Sequence, residues 1–307
     1  MDRVATLTLN PAIDSACEAD ALFPTHKIRT AGERYDPGGG GINVARVLAR
    51  LGEQVEVVYL AGGATGALLD ELLAEKGIDR HRVPIHDHTR MSLTVFERST
   101  GREFRFVPEG PLVSASEWQA ALAHCAGLEG EWLVASGSLA RGVPDDFLVH
   151  LARDAAARGA RLVVDTSGPA LKAVLDAGGL FLVKPSQGEF EALAGCKFAN
   201  SQDLGAAALE FVRAGKSRHI AVTLGHEGAV LAHEGGVVFL AGLPVEVKSA
   251  TGAGDSFVAG MVHGFLRGED APGAFRWAMA AGTAAVLNPG TDLAHPDDIA
   301  RLWAQLG

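Results

Sequence analysis

Ser249-Ala250-Thr251-Gly252-Ala253-Gly254-Asp255-Ser256 is the stretch on which the reading of the fold turns. A β-flavoured run, Leu243 to Lys248, leads into it, and a long segment of small apolar residues, Phe257 to Leu266, leaves it. The pattern predicts strand, glycine turn and helix. Two glycines around an alanine leave the backbone amides bare, and the following helix points its unpaired N–H groups and positive end back at the turn. Asp255 falls in the first helical turn, beside the place an anion would occupy. A carboxylate there repels an anion unless it takes a proton from a nucleophile attacking that anion. The structural alternative is an acidic residue capping a buried helix.

A second glycine run opens a second helix. Gly38-Gly39-Gly40-Gly41 precedes Ile42-Asn43-Val44-Ala45-Arg46-Val47-Leu48-Ala49-Arg50-Leu51, whose apolar residues recur at helical spacing up to Gly52. From about residue 116 onward helices are predicted near 116–126, 145–158, 169–177, 187–194 and 201–214. Strands are predicted near 131–136, 161–165, 180–184 and 218–223. Such alternation implies a largely parallel sheet covered on both faces, with ligands bound past the carboxyl ends of its strands. A hairpin is expected near 228–240 and three helices in the tail, at 255–266, 273–287 and 297–306. Residues 91–98 and 103–107 alternate around Ser99-Thr100-Gly101 as a further hairpin. With the mixed segment 14–35 it forms a small β appendage to one main domain spanning residues 1–307. The appendage is a lid of about 14–35 and 88–108, and Lys27 and Arg29 share one face of its extended segment.

The totals set limits. The chain of 307 residues is 48% apolar and 21% charged, and carries 38 glycines; it is long enough to bury a full core. A net charge of −10 without a basic block argues against a nucleic-acid partner. No segment has the length of a membrane span, and the N-terminus lacks a signal-peptide pattern. Cys17, Cys125 and Cys196 have neither metal nor redox spacing, as expected of free thiols in a reducing cytoplasm.

Several local signals are set aside. Gly62-Gly63-Ala64-Thr65-Gly66 lacks the dinucleotide fingerprint, and Gly215-Lys216-Ser217 lacks the earlier glycine of a phosphate-binding loop, since Glu210 stands there. His86-Asp87-His88 reads as a solvated turn. Others point to chemistry. Lys184 ends a strand and can reach a phosphate, while Glu189, five residues on, can hold water around magnesium. Thr223-Leu224-Gly225-His226-Glu227-Gly228 is a strand-end loop fit to cradle a nucleotide. Arg90, at the mouth of the hairpin, offers a fork suited to a phosphate.

In this order the motifs resemble the PfkB (ribokinase-like) sugar kinases from end to end. Gly39-Gly40-Gly41-Ile42-Asn43-Val44-Ala45 is similar to the first family signature and Thr251-Gly252-Ala253-Gly254-Asp255 to the second. Thr6-Leu7-Thr8-Leu9-Asn10-Pro11-Ala12-Ile13-Asp14 and Val164-Asp165-Thr166-Ser167-Gly168 resemble the phosphosugar branch, whose activities are 6-phosphofructokinase, 1-phosphofructokinase and tagatose-6-phosphate kinase. Gly40 resembles the first of these, because the other two usually carry lysine in the glycine run. The resemblance implies a three-layer α/β/α domain with a mostly parallel central sheet and a small β-sheet lid. It also implies ATP and magnesium, a homodimer joined through the lid, and transfer to the C1 hydroxyl of fructose 6-phosphate. A sugar-phosphate sensor on a retained fold is the alternative of another class.

Carried over residue by residue, the resemblance implies that Asp14, Gly39 and Asn43 hold sugar hydroxyls. Arg90 and Ser138 would take the existing phosphate, and Lys27 and Arg29 would reach it from the lid, across the dimer. Asp255 is the implied base, with the amides of Gly252, Ala253 and Gly254 as the anion hole. Lys184, Ser186, Thr223, Gly225, Gly228, Thr251 and Thr283 would line the nucleotide. Potassium would sit between the loop of Ser249 and Ala250 and the loop carrying Ala285, Asn288, Gly290 and Asp292. Two departures stand out. Ser186 replaces the family's usual asparagine three residues before Glu189, which alters the expected magnesium–water network. Ser249 stands where many relatives carry an acid, which weakens the expectation of potassium.

Overall fold

Every residue of Val4–Thr8 is buried, the mark of a strand covered on both faces. This is β1 of a computed structural model that describes residues 3–306. β2 (Ala12–Ala19), β3 (Thr30–Gly38), α1 (Gly40–Arg50), β4 (Val55–Ala61), α2 (Gly63–Glu75) and β5 (Asp79–Pro84) follow. The hairpin β6 (Arg90–Glu97) and β7 (Arg102–Phe106) precedes α3 (Ala115–Ala126). Then come β8 (Trp132–Ser136), α4 (Phe147–Ala157), β9 (Arg161–Asp165), α5 (Gly168–Ala177), β10 (Leu180–Val183), α6 (Gln187–Ala194), α7 (Ser201–Arg213) and β11 (Ser217–Thr223). A second hairpin, β12 (Gly228–His233) and β13 (Gly236–Ala241), leads to α8 (Ala253–Leu266), α9 (Ala271–Val286) and α10 (Pro296–Trp303).

Nine strands form the main sheet in the order β13-β12-β11-β10-β9-β8-β1-β4-β5, all running in one direction except β12, which lies antiparallel between β11 and β13. From β1 the chain winds outward to β4 and β5 on one side and resumes at β8 on the other. The junction of β1 and β8 is therefore the topological switch point, where a cleft opens at the strand ends. One apolar core joins the sheet to α1, α2, α8, α9 and α10, and a second joins its other face to α3, α4, α5 and α7. Three layers result, as the alternation predicts.

The remaining strands form a separate sheet, β3-β2-β6-β7. In register, Asp14 pairs with both Asp36 and Ser92, and Thr94 with Arg105, so these polar residues share one face. The opposite face carries Tyr35, Met91, Leu93 and Phe106, all exposed. Cys17, Ala19 and Val95 make only a small core of their own.

Two expectations fail. Residues 243–248 form no strand. β13 is the sheet edge and ends at Ala241; Pro244 has no N–H to give, and the segment is instead tied by the Lys248 amide to the Val286 carbonyl at 2.8 Å. In the other direction, β5 was not expected, because Asp79-Arg80-His81-Arg82 has no apolar alternation. It is an edge strand held through its backbone register with β4.

α8 and α9 pack closely because Gly260 has no side chain; a Cβ there would lie 2.4 Å from the Trp277 carbonyl oxygen and 2.8 Å from Ala281 Cβ. Gly260→Ala is expected to cost about 1–3 kcal/mol by overpacking. Urea denaturation measures it, and an unchanged midpoint would mean that the helices separate freely.

Candidate active site

α1 and α8 both begin at the mouth of the switch-point cleft. α1 can start there because residue 40 is glycine: a Cβ would lie 2.3 Å from Ser136 Oγ and 2.7 Å from the Gly137 amide. α8 starts at Gly252, which is in the left-handed region with φ 73°. Asp255 lies in its first turn, as expected. Gly252, Ala253 and Gly254 precede it; the Ser256 amide already bonds the Gly252 carbonyl. Of the earlier amides, that of Ala253 reaches the Ala250 carbonyl at 3.4 Å; the amides of a helix's first turn have no partner within the helix.

Asn43 Nδ2 donates to Asp255 Oδ2 at 2.8 Å. Burial first, with Asp165 and Asp14, pushes the Asp255 carboxyl up to about 7 against the opposing pull of Asn43 and Lys184. Lys184 follows β10, is buried, and its Nζ lies 3.1 Å from Asp165 Oδ1. Burial alone would lower its pKa, but Asp165, Glu189 and Asp255 outweigh burial and hold the ammonium above its ordinary value. A Cβ at Gly254 would lie 3.5 Å from Lys184 Nζ, so the cation sits beside the helix terminus. The arrangement joins a carboxylate able to hold a proton near neutrality, a fixed cation and a helix N-terminus.

Across the switch point, Asn10 Nδ2 bonds Ser138 Oγ at 3.2 Å and the Glu109 carbonyl at 3.0 Å. Arg90 donates to the carbonyls of Asn10 and Pro108, each at 2.9 Å. Its Nε is buried without a partner among the described residues, an orphan donor that an anion would satisfy. Asp14 on the lid is raised by burial, against the pull of Arg105, Arg46 and Arg90. Arg105, Arg46 and Asn10 had escaped sequence reasoning. Arg46 sits in an amphipathic helix where a charged residue reads as a solvated face, yet it is only 4% exposed. Lys27 and Arg29 lie in the exposed loop between β2 and β3.

Of the residues expected on the nucleotide side, Ser186 and Thr223 come together. The Thr223 amide donates to the Pro185 carbonyl at 3.1 Å, and Ser186 bridges Thr223, so the loops after β10 and β11 lie side by side. Gly225 and Gly228 bound the short turn that follows β11, and half-buried Thr283 lies on α9. Ser186 caps α6: its amide donates to Glu189 Oε2 at 2.7 Å, and the Glu189 amide donates to Ser186 Oγ at 3.4 Å. Glu189 thus serves the helix start while still facing Lys184 and Asp165 electrostatically. Among the described residues no group of three or more His, Cys, Asp or Glu is placed to hold a metal. Isolated carboxylates such as Glu189 nevertheless fit magnesium, which keeps most of its waters and takes few protein oxygens.

The two expected potassium loops meet. Ser249 Oγ donates to the Gly290 carbonyl at 3.2 Å and accepts from the Thr251 amide at 3.2 Å. The Asn288 amide donates to the Ala285 carbonyl at 3.1 Å. The Asp292 carboxylate is engaged by Arg50 at 3.0 Å and His295 at 2.9 Å. Ala250, next to Ser249, is exposed. Elsewhere, Lys216 pairs with Asp176, and Asp87 fastens a turn through the His88 and Leu112 amides, so neither motif joins the cleft.

A doubly wound sheet with a detached β lid, closing on a carboxylate at a helix amide terminus, places this protein among the ribokinase-like kinases. Residues 7–298 match the profile described as pfkB family carbohydrate kinase, and the chain belongs to that family. It is 38% identical to the ATP-dependent 6-phosphofructokinase isozyme 2 of Escherichia coli, over all of this chain and 99% of that one. Among solved structures it is similar to phosphofructokinase-2 from Escherichia coli in complex with potassium, with TM-score 0.96, 38% identity and coverage of 100% and 99%. It is also similar to the same protein in complex with fructose-6-phosphate, with TM-score 0.94, 37% identity and the same coverage.

Lys184→Met leaves the buried Asp165 carboxyl without its cation. The expected loss is about 3 kcal/mol, largely recovered when Asp165→Asn is added. Equilibrium denaturation of the single and double variants checks it; equal stability of wild type and the single variant would show the pair to be dispensable.

Proposed function

We propose that this protein transfers the terminal phosphoryl group of ATP to the C1 hydroxyl of fructose 6-phosphate, giving fructose 1,6-bisphosphate. The observation that carries this reading is the half-buried Asp255 carboxylate at the amide end of α8, bonded to Asn43 and raised by its surroundings to about 7. The choice of sugar is supported by the full-length similarity to 6-phosphofructokinase isozyme 2 and by the Escherichia coli structure in complex with fructose-6-phosphate. It is also supported at residue 40. A side chain there, where the sister branches usually carry lysine, would run into Ser136 and Gly137.

In this reading Asp14, Gly39 and Asn43 orient the sugar hydroxyls, and the Arg90 fork with Ser138 takes the existing phosphate. Asn43 occupies Asp255 Oδ2, and the other carboxylate oxygen, Oδ1, receives the C1 hydroxyl proton as that oxygen attacks. The amides of Gly252, Ala253 and Gly254 stabilise charge on the group in flight, aided by Lys184. Lys184, Ser186, Thr223, Gly225, Gly228, Thr251 and Thr283 cradle the nucleotide. Glu189 would hold magnesium, which when bound would supply charge neutralisation on the phosphates. The lid excludes water from the cleft. Its exposed stripe of Tyr35, Met91, Leu93 and Phe106 suits a second copy of the lid, which would also deliver Lys27 and Arg29. The Escherichia coli structure in complex with potassium supports a monovalent cation between the Ser249–Ala250 loop and the loop of Ala285, Asn288, Gly290 and Asp292. Hydroxyl and carbonyl oxygens there are suitable donors.

ADP release with magnesium-ATP is expected to be fastest with fructose 6-phosphate, ahead of fructose 1-phosphate and tagatose 6-phosphate. Release with none of the three would overturn the reading in favour of a sugar-phosphate sensor. Asp255→Ala is expected to lower turnover by about 10²–10⁴ while nucleotide binding, followed by calorimetry, persists. Because the base must be ionised, wild-type turnover falls as pH drops through about 7, the value to which burial and Asp165 raise Asp255. Arg90→Ala raises KM for the phosphosugar well beyond that for ATP; equal effects on both would remove its assigned role.

A further inference from the structure

Arg46 lies one helical turn beyond Asn43 and is almost wholly enclosed. Its NH1 donates to the Pro37 carbonyl at 2.9 Å and to Asn43 Oδ1 at 3.3 Å; its NH2 donates to Asp36 Oδ1 at 3.1 Å. Asp36 is pinned in turn, since Thr291 Oγ1 donates to its other oxygen at 2.8 Å and Lys76 Nζ lies 3.6 Å away. A buried ion pair is a poor source of stability, because a hydrophobic residue of similar volume serves as well. The orientation of Asn43 gives this one a use. A side-chain amide is nearly symmetric in shape, and which end is oxygen is decided by its partners. Guanidinium has donors only. Arg46 therefore holds the Asn43 oxygen on its own side and turns the NH2 group toward Asp255. With that donor removed, the amide can turn over and set a carbonyl lone pair against the carboxylate, an arrangement tolerated only when Asp255 carries a proton.

We propose that Arg46 is a positioning residue for the phosphoryl transfer: it fixes the Asn43 amide so that Asp255 remains an unprotonated acceptor, and it ties that amide to the root of the lid through Asp36 and Pro37 on β3. The inference rests on Asp255 being the base. The other groups facing Asp255 are Asp165 at the end of β9 and Asp14 on β2, which favour its protonated form, and Lys184 after β10, which favours the ionised one. Those facing Arg46 are Asp36 and Asp14 from the lid, Arg50 on its own helix and Asp292 from the loop before α10.

The test is the pH profile of turnover, from about pH 5.5 to about 9.5, for Arg46→Met, Arg46→Lys, Asn43→Ala and the Asn43→Ala/Arg46→Met pair. Losing a hydrogen bond to a charged group is expected to move the acidic limb of Arg46→Met upward by about one pH unit. The deficit is then roughly tenfold near pH 6 and shrinks toward pH 9, with KM for ATP changed less than about twofold. Arg46→Lys, which keeps a donor, restores most of the profile. Adding Arg46→Met to Asn43→Ala moves the limb no further. A folded Arg46→Met variant whose limb stays at the wild-type position overturns the inference, as does a full shift in the Asn43→Ala background. If Arg46→Met does not fold, Arg46→Gln, too short to reach Asn43, carries the same expectation. Asp255→Ala, run in parallel, separates the two levels. Near-normal turnover in that variant removes the base itself, whereas an inactive Asp255→Ala beside an unshifted Arg46→Met removes only the positioning role.

Discussion

The hydrogen bond between Asn43 and Asp255 joins the first turns of two helices whose residues lie 212 positions apart. It sets the two helix starts against each other in a part-buried site. A carboxylate inside a protein favours its protonated form, and Asp165 and Asp14 add to that tendency. Asn43 and Lys184 pull the other way. The outcome is a group that changes its charge near neutrality, which exposed aspartate cannot do. For the two groups to meet, both helices must start at the same end of the sheet and approach its backbone closely. Gly40 beside Ser136 permits the approach of α1 to the sheet, and Gly260 beside Trp277 lets α8 pack closely on α9.

The lid obeys a second constraint. Four strands with a three-residue core cannot be strongly self-sufficient. One face is polar and presents Asp14, Asp36, Ser92 and Arg105 inward; the other leaves Tyr35, Leu93 and Phe106 in water. That is the reverse of a soluble sheet, in which apolar residues turn toward the core. The lid's root is anchored at Asp36 by Arg46, Lys76 and Thr291, so the strand that leads into α1 is held by three elements of the main domain.

What could be read from the chain, and what could not, divides along the range of the interactions. The glycine turns at 38–41 and 252–254, and the helices behind them, depend on neighbours within one turn, so they were legible. The buried strands β1, β4, β8, β9 and β11 announce themselves by apolar runs. β5 does not, because its charged side chains stand at a sheet edge and only backbone pairing holds it. The segment 243–248 misled for the opposite reason: its residues favour a strand, but it leaves an edge where no neighbour is present to pair. Ser186 and Glu189 were readable both as a nucleotide and magnesium loop and as a helix start, and the capping box explains why the two readings share residues.

By itself, then, the sequence determined the α/β class, the family signatures and the identity of Asp255, Lys184 and Asn43 as groups to watch, because each is written in a local motif; Arg90 stood out only by its place at the mouth of the hairpin. Tertiary structure alone decided what those groups do to one another. Arg46 reads as one charged residue among several on α1. Only the return of the lid strand beside it, and of α8 beyond Asn43, turns it into a buried donor. Arg105 and Asn10 likewise acquire meaning only once β7 pairs with β6 and β8 settles against β1. Burial and charge pairing are properties of neighbours in space, and those neighbours are assigned by the order of strands in the two sheets.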